Sequence, residues 1–112
     1  DVAGMLRSFD YAAAAGLRLQ SPADAARLDP WARAWVERVT RQFLDSYFAS
    51  AAGAAFLPPE AADISLLLQV FILDKAVYEI GYELSYRPDF LSIPLRAVKR
   101  LLGEMESAPT IA

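Results

Sequence analysis

Apolar residues recur every three to four positions along most of this chain, a period that predicts amphipathic helices and not strands. Glycine and proline interrupt the pattern and divide it into segments of helical length. Four main helices are therefore expected, over residues 1–15, 30–52, 60–86 and 95–105. The predicted fold class is all-α, and the long third segment is expected to be its central helix.

The helix boundaries are predicted from capping residues. Asp1 suits the N-cap or first turn of the first helix, where a carboxylate meets free amides and the positive end of the helix dipole. Gly16 suits the C-cap of that helix. In the connector that follows, Ser21 is expected to cap a short helix. Asp29-Pro30 then predicts the start of the second helix, because an N-cap residue is followed by proline at the first helical position.

Two stretches are expected to be buried. The second helix carries an aromatic stripe, which is typical of core packing, and the first half of the third helix is apolar nearly all round. The stripe consists of Trp31, Ala34, Trp35, Val39, Phe43, Leu44, Tyr47 and Phe48. On the last helix the residues expected to face inward are Leu95, Val98, Leu101 and Leu102.

The second half of the third helix has a polar face that contains aromatic residues. Lys75, Tyr78, Glu79, Tyr82 and Tyr86 occur at i, i+3, i+4, i+7 and i+11, and therefore share one side of the helix. Tyrosine offers a flat ring for stacking and a hydroxyl for hydrogen bonding, while lysine and a carboxylate add a donor and an acceptor. This chemistry allows a sugar site. The same spacing also suits a surface Lys–Glu pair beside half-buried tyrosines, and the residues alone leave both interpretations open.

Gly81 interrupts the same stretch of helix. A glycine inside a helix costs about 1 kcal/mol relative to alanine. A close helix neighbour or a nearby ligand would explain its presence.

The composition excludes several kinds of function. The chain has no cysteine and no histidine, which excludes disulfides, thiolate metal sites and histidine-based chemistry within these 112 residues. Its net charge of −3 argues against nucleic-acid binding, which favours clustered basic residues. The longest apolar run, 64–73, is far shorter than the about 20 residues that a membrane span needs. No signal peptide is visible, and the expected location is the cytoplasm.

Two stretches resemble a known family. The run LDKAVYEIGYELSYRPDFLSIPLR, at 73–96, resembles the C-terminal segment of bacterial maltokinases, including those fused to trehalose synthase. The start of the chain, DVAGMLRSFDYAA, is similar to a second motif of that family, and the two motifs occur in the right order. The resemblance covers nearly all of residues 1–112. It implies the helical C-terminal subdomain of the C-lobe of a kinase with an aminoglycoside phosphotransferase-like fold.

The resemblance implies a parent enzyme that converts ATP and maltose to ADP and maltose 1-phosphate in bacterial trehalose and α-glucan metabolism. This chain has no glycine-rich phosphate loop and no His-x-Asp motif, so the N-lobe and catalytic loop are expected upstream. We therefore expect no catalytic residue and no metal ligand here, with ATP and Mg²⁺ bound mainly outside this segment. The expected partners are maltose and trehalose synthase, fused or associated, and neither nucleic acid nor a membrane.

The resemblance also implies roles for individual residues. Lys75 and Glu79 would hydrogen-bond sugar hydroxyls. Tyr78 and Tyr82 would stack on the disaccharide or hydrogen-bond to it. Asp1 would support the active site by bracing the backbone of the catalytic loop.

The chain departs from the family pattern at one point, and two alternatives remain open. Ser85-Tyr86 stands before Arg87 where a more polar pair such as Asn-Asn is expected, so Tyr86 adds an aromatic group at the edge of the pocket. One alternative is a related aminosugar kinase of the same fold, which would need a denser acidic pocket than Glu79 and Glu83 supply. The other is a non-catalytic helical module that docks apolar surface on a partner.

Overall fold

Four α-helices form the structure, a computed structural model that describes residues 1–107. They are α1 (Val2–Arg18), α2 (Pro22–Ser50), α3 (Ala61–Tyr86) and α4 (Ser92–Ser107), with a 3₁₀ turn at Pro88–Phe90 between the last two. Residues 1–107 contain no strand, so the predicted all-α fold is confirmed. With 26 residues and a length of about 39 Å, α3 matches the predicted third helix to within one residue.

The helices pack in a chain of pairs around a small apolar core. α1 contacts both α2 and α3, and α4 contacts α3. Ala76 and Ala97 are fully buried, and their small side chains allow the backbones of α3 and α4 to come close together. The other buried apolar residues are Ala3 and Leu6 of α1 and Ile93 and Leu101 of α4.

Aromatic rings join α1 to α2. The Phe9 ring centroid lies 6.4 Å from that of Trp35 and 5.7 Å from that of Phe43, and both pairs meet edge to face. The aromatic stripe of α2 is therefore only partly core. Trp31 is 75% exposed, and its predicted burial is wrong because no described element covers that side of the helix.

Two predicted boundaries are also wrong. α1 continues through Gly16 to Arg18, and Leu19 N then donates to the Gly16 carbonyl (3.3 Å) in a final 3₁₀-type turn. Among residues 1–107 the one glycine with a positive φ is Gly53 (79°), which reverses the chain after α2. Gly16 does not need a left-handed conformation, because this 3₁₀-type hydrogen bond already satisfies its carbonyl group.

α2 does not begin at Asp29-Pro30. Ser21 caps it, as expected of a helix start, but the helix then runs through Pro30 without a break. A proline inside a helix removes one hydrogen bond, and the helix on either side of Pro30 outweighs that local loss. The Asp29 carboxylate does not act as an N-cap and instead pairs with Arg33 (3.2 Å) and Arg96 (3.6 Å).

The first half of α3 is not buried, contrary to the prediction. Leu66, Leu67, Val70 and Phe71 are exposed, whereas the buried residues of α3 all lie in its second half. The pattern predicted burial because large apolar side chains are usually found inside proteins. No neighbour within residues 1–107 covers them.

The inward face of α4 differs from the predicted one. The helix begins at Ser92, with Pro94 buried in its first turn, where a missing amide hydrogen costs no helical bond. The side of the helix that faces the core carries Ile93, Ala97 and Leu101. Leu101 is therefore buried as predicted, but Leu95 and Leu102 are exposed.

The N-cap of α2 gives a stability prediction. Ser21 Oγ accepts a hydrogen bond from the Asp24 amide (3.2 Å). Ser21→Ala should lower the free energy of unfolding by about 1 kcal/mol, because that amide loses its partner. Ser46→Ala, in the exposed interior of α2, is the matched control and should not destabilise, since alanine is the better helix former. Equal unfolding free energies for both variants in denaturant titrations would contradict the capping role.

Candidate functional site

A buried ion pair connects α1 to α3. Arg7 Nε donates to Glu79 Oε1 (2.7 Å) and Oε2 (3.2 Å), and Arg7 Nη2 donates to Glu79 Oε2 (3.1 Å). Both side chains are almost inaccessible to solvent. The forked geometry of the guanidinium matches the two oxygens of the carboxylate, which makes such pairs strong and directional. The pair therefore sets how α3 is oriented on α1.

The ion pair continues into a small network. Arg7 Nη1 donates to Asp10, which lies one turn further along α1. Arg100 Nη2 of α4 approaches the same Asp10 carboxylate at 3.6 Å. Side chains of alternating charge from α1, α3 and α4 thus form one cluster. Their attraction offsets the free-energy cost of removing Arg7 and Glu79 from water.

A second charged contact lies one turn beyond Glu79 on α3. Glu83 is 1% exposed, and its Oε1 accepts a hydrogen bond from Arg87 Nη2 (2.8 Å). The Arg87 guanidinium lies 4.6 Å from the Phe90 ring centroid, and the Arg18 guanidinium of α1 lies 4.5 Å from the same centroid. Arg18 Nη1 also donates to the Asp89 carbonyl (2.6 Å). These contacts hold the end of α1 against the corner that follows α3.

Two buried polar atoms near this cluster have no hydrogen-bond partner within residues 1–107. They are the Tyr11 hydroxyl and Glu83 Oε2. Burial raises the pKa of Tyr11 well above its ordinary value, and the negative charges of Glu79 and Glu83 raise it further. Tyr11 is therefore held as the neutral phenol.

Arg7 and Arg87 both have raised pKa values. Burial by itself lowers the pKa of Arg7, but its hydrogen bonds to Glu79 and Asp10 outweigh that effect. The hydrogen bond to Glu83 is the main cause of the raised pKa of Arg87. Both guanidinium groups are permanently charged, so the network keeps its cations at any pH at which the protein folds.

Three of the predicted sugar-binding residues lie together on the exposed side of α3. We call Lys75, Tyr78, Tyr82 and Tyr86 the tyrosine face. Lys75 Nζ lies 5.3 Å from the Tyr78 ring centroid, and the Tyr82 and Tyr86 centroids are 4.9 Å apart with a tilt of 44°. All four side chains are exposed. The face offers hydroxyls, rings and an ammonium group to solvent.

Glu79 is the predicted site residue that the structure places elsewhere. Its carboxylate is buried and bound by Arg7 of α1, whereas the side chains of the tyrosine face are exposed. The pair Lys75–Glu79 considered from the sequence is replaced by Arg7–Glu79. A contact between Glu79 and a sugar stays a prediction, and it would compete with the ion pair.

Asp1 occupies the predicted N-cap position but does not cap with its side chain. Its backbone carbonyl accepts a hydrogen bond from the Met5 amide (3.0 Å), and its exposed side chain makes no capping hydrogen bond. Its predicted support of a catalytic loop is therefore still a prediction. The exposed carboxylate is accessible to another segment.

An open groove with a volume of about 1200 Å³ lies between α1, α2 and α4. Its floor includes Ala13 and other small residues of α1. At its rim the carboxylate of Asp29 is neutralised by Arg33 and Arg96, as described above. The residues of the tyrosine face do not line it. The groove thus lies apart from the predicted sugar-binding residues.

Sequence reasoning missed the inward face of this site, made by Arg7, Asp10 and Tyr11 with Glu79 and Glu83. One signal was present. Glu79 and Glu83 share the i, i+3, i+7 spacing of Ala76, so they lie on the helix side that carries small core residues. Acidic residues in such positions need a cationic partner. The sequence does not show that the partner lies 72 positions away.

A scan against protein-family models finds no family that matches the chain. Within residues 1–107, no group of three or more histidine, cysteine, aspartate or glutamate side chains is arranged to hold a metal ion. None of the described helices is long and apolar enough to cross a membrane.

The buried ion pair gives a second stability prediction. Arg7→Ala should destabilise the protein by about 3–5 kcal/mol, because the Glu79 carboxylate is left buried without a counterion. Arg33→Ala, which removes an exposed ion pair to Asp29, should cost less than about 1 kcal/mol. Replacing both partners, Arg7→Leu with Glu79→Leu, should be more stable than Arg7→Ala. Thermal or denaturant unfolding measures all three, and similar losses for Arg7→Ala and Arg33→Ala would contradict the proposed role of burial.

Tyr11 gives a prediction for alkaline pH. A pKa raised in the folded state means that folding favours the neutral phenol, so this contribution is complete below the ordinary tyrosine pKa of about 10 and is lost as pH rises above it. Tyr11→Phe should move alkaline unfolding to higher pH and leave stability at pH 7 unchanged or higher. Tyr78→Phe, at an exposed position, should not move it. Unfolding followed by circular dichroism between neutral and alkaline pH is the measurement, and identical curves for wild type and Tyr11→Phe would refute the prediction.

Proposed function

We propose that this chain is the acceptor-side helical part of a maltokinase-like sugar kinase, which transfers phosphate from ATP to maltose and yields maltose 1-phosphate. One observation supports the proposal most. The two stretches that resemble the maltokinase family are separated by a long segment of sequence, yet Arg7 of the first directly binds Glu79 of the second. Two motifs that form one structural unit are more informative than two separate matches.

The tyrosine face supplies the chemistry for a neutral sugar. The rings of Tyr78 and Tyr82 offer apolar surface for the C–H side of a pyranose, and their hydroxyls both donate and accept. The Lys75 ammonium adds three donors beside Tyr78. Because these side chains project from one rigid helix, they would hold the acceptor in a fixed orientation, which is the main requirement for phosphoryl transfer.

The transfer itself would use groups outside this segment. The anomeric hydroxyl oxygen would form a bond to the γ-phosphorus as the bond to ADP breaks, and an upstream aspartate would take the hydroxyl proton. The resemblance implies that ATP and Mg²⁺ bind mainly outside this segment, so we assign no residue of this chain to either. Its contribution would be to bind and orient maltose.

The aminosugar alternative is less well supported. An ammonium group on the acceptor would need free carboxylates beside the tyrosines. The two acids considered from the sequence, Glu79 and Glu83, are both buried and hydrogen-bonded to arginines, Arg7 and Arg87. Asp74, four residues before Tyr78, is the exposed acid beside the tyrosines, and a single carboxylate does not make a dense acidic pocket. A neutral disaccharide fits the remaining exposed groups better.

A second candidate function rests on a different part of α3. The exposed aliphatic and aromatic side chains of its first half favour an apolar contact with another protein surface, such as trehalose synthase. These are Leu66, Leu67, Val70 and Phe71. Such a contact is compatible with the sugar-binding proposal, because the two surfaces occupy successive halves of the same helix.

The proposal is tested by kinetics of the full-length polypeptide that carries this chain. Lys75→Ala and Tyr82→Ala should each raise the KM for maltose by about tenfold and leave the KM for ATP unchanged, since about 1.4 kcal/mol of binding energy corresponds to tenfold. Lys99→Ala, an exposed lysine on α4, is the matched control and should leave both constants unchanged.

Glucose and glucosamine serve as comparison acceptors in that experiment. If maltose is not phosphorylated by the wild-type protein, the proposed function is wrong. If maltose is a substrate but the Lys75 and Tyr82 variants behave as wild type, the activity remains and these residues are not the acceptor site.

A further inference from the structure

The tyrosine face extends beyond the residues needed for a disaccharide. Tyr78, Tyr82 and Tyr86 follow one another at intervals of four residues, a rise of about 6 Å per step along α3. They are 64%, 43% and 72% exposed. Tyr86, the most exposed of the three, is also the residue that departs from the family pattern.

Tyr86 is positioned as a continuation of the Tyr82 surface. The centroids of the two rings are 4.9 Å apart and tilted by 44°, so their outer faces form one curved aromatic surface. The orientation of Tyr82 is supported from behind by Arg87, whose guanidinium lies 5.7 Å from the Tyr82 ring centroid. Glu83 in turn holds Arg87. The exposed rings of Tyr82 and Tyr86 are therefore linked through Arg87 to the buried carboxylate of Glu83.

Gly81 leaves a gap beside this row of rings. It is exposed, and a Cβ placed there would meet no heavy atom within 4 Å. No close helix neighbour in the described chain therefore explains the glycine, one of the two explanations considered from the sequence. On the helix surface Gly81 lies about 60° from Tyr78 and about 100° from Tyr82, on the side away from Tyr86, so it is not part of the row of tyrosines.

We propose that Tyr78, Tyr82 and Tyr86 bind a linear neutral oligosaccharide of three or more pyranose units, with Tyr86 as the platform for the unit beyond the disaccharide. This inference rests on the proposed sugar-binding function and specifies the ligand class of the same site. The step between successive tyrosines is comparable with the length of one sugar unit in an extended chain. Successive rings of the ligand would stack on successive tyrosines.

The chemistry of the face favours a carbohydrate over a protein segment. Each platform combines an apolar ring with a hydroxyl, which matches the apolar C–H face and the hydroxyl edge of a pyranose. Cationic donors stand beside two of the three rings, Lys75 beside Tyr78 and Arg87 beside Tyr82. The purely apolar side chains that would suit a protein partner lie in the other half of α3.

The test compares sugars of increasing length. In the full-length polypeptide, calorimetric titration with maltose, maltotriose and maltotetraose should show tighter binding of the two longer sugars. Tyr86→Ala should weaken their binding by about tenfold, the upper range for an aromatic stacking contact, and change maltose binding little. Tyr86→Phe should keep most of the affinity. Leu84→Ala is the matched control, since Leu84 is exposed on a different side of α3.

Gly81→Ala separates ligand binding from folding. The added methyl group meets no atom of the chain and improves helix propensity, so the melting temperature should rise. Affinity for maltotriose should stay unchanged, because Gly81 lies outside the row of tyrosines. A more stable variant that binds maltotriose much more weakly than wild type would contradict stacking along that row.

The outcomes distinguish this inference from the proposed function. If maltose is phosphorylated but Tyr86→Ala changes the binding of maltose and maltotriose equally, or changes neither, the oligosaccharide subsite is wrong and the kinase proposal stands. If maltotriose binds in a Tyr86-dependent way without phosphorylation of any sugar, the subsite stands and the kinase proposal is wrong. If no sugar of the series binds, both are wrong.

Discussion

The structure depends on one guanidinium group buried between helices. Arg7 lies on α1, but three of its donor contacts go to the Glu79 carboxylate of α3 and another to Asp10. The apolar core around it is small and half of its residues are alanines, so dispersion and hydrophobic burial alone define the helix arrangement weakly. A forked pair has one favourable geometry, and it therefore selects a single orientation from the many that small apolar side chains permit.

This arrangement determines which side of α3 remains accessible. With Glu79 and Glu83 turned inward, the 100° step between neighbouring helical residues turns Tyr78 and Tyr82 outward. The corner after α3 is then held by Phe90, which is flanked by two guanidinium groups, one from each side of the helix junction. The buried charges and the exposed tyrosines are thus two faces of the same stretch of helix. A site built on such a supported element is held more exactly in place than one on a loop.

The helical pattern of the sequence was sufficient to predict the fold class, the extent of α3 and the capping role of Ser21. It was less informative wherever the outcome depended on a neighbour. Asp29-Pro30 has every local feature of a helix start, yet a helix already in progress passes through it. The apolar residues around Leu66 were expected to be buried but are exposed, because periodicity does not show whether another element covers them. Of the predicted sugar-binding residues, three share the exposed face and Glu79 does not, because its partner Arg7 is distant in sequence.

The Arg7–Glu79 pair also affects how this region can change during evolution or engineering. If α3 is exchanged for a related helix without its counterpart, either a cation or a carboxylate is left in the interior without its opposite charge. α1 and α3 therefore behave as one unit of recombination, although a long segment of sequence separates them. The residues between them, which include all of α2, take no part in this ion pair, and α2 packs on α1 through the rings around Phe9. Transplanting the tyrosine face to a new scaffold requires moving a pair of helices and not a single one.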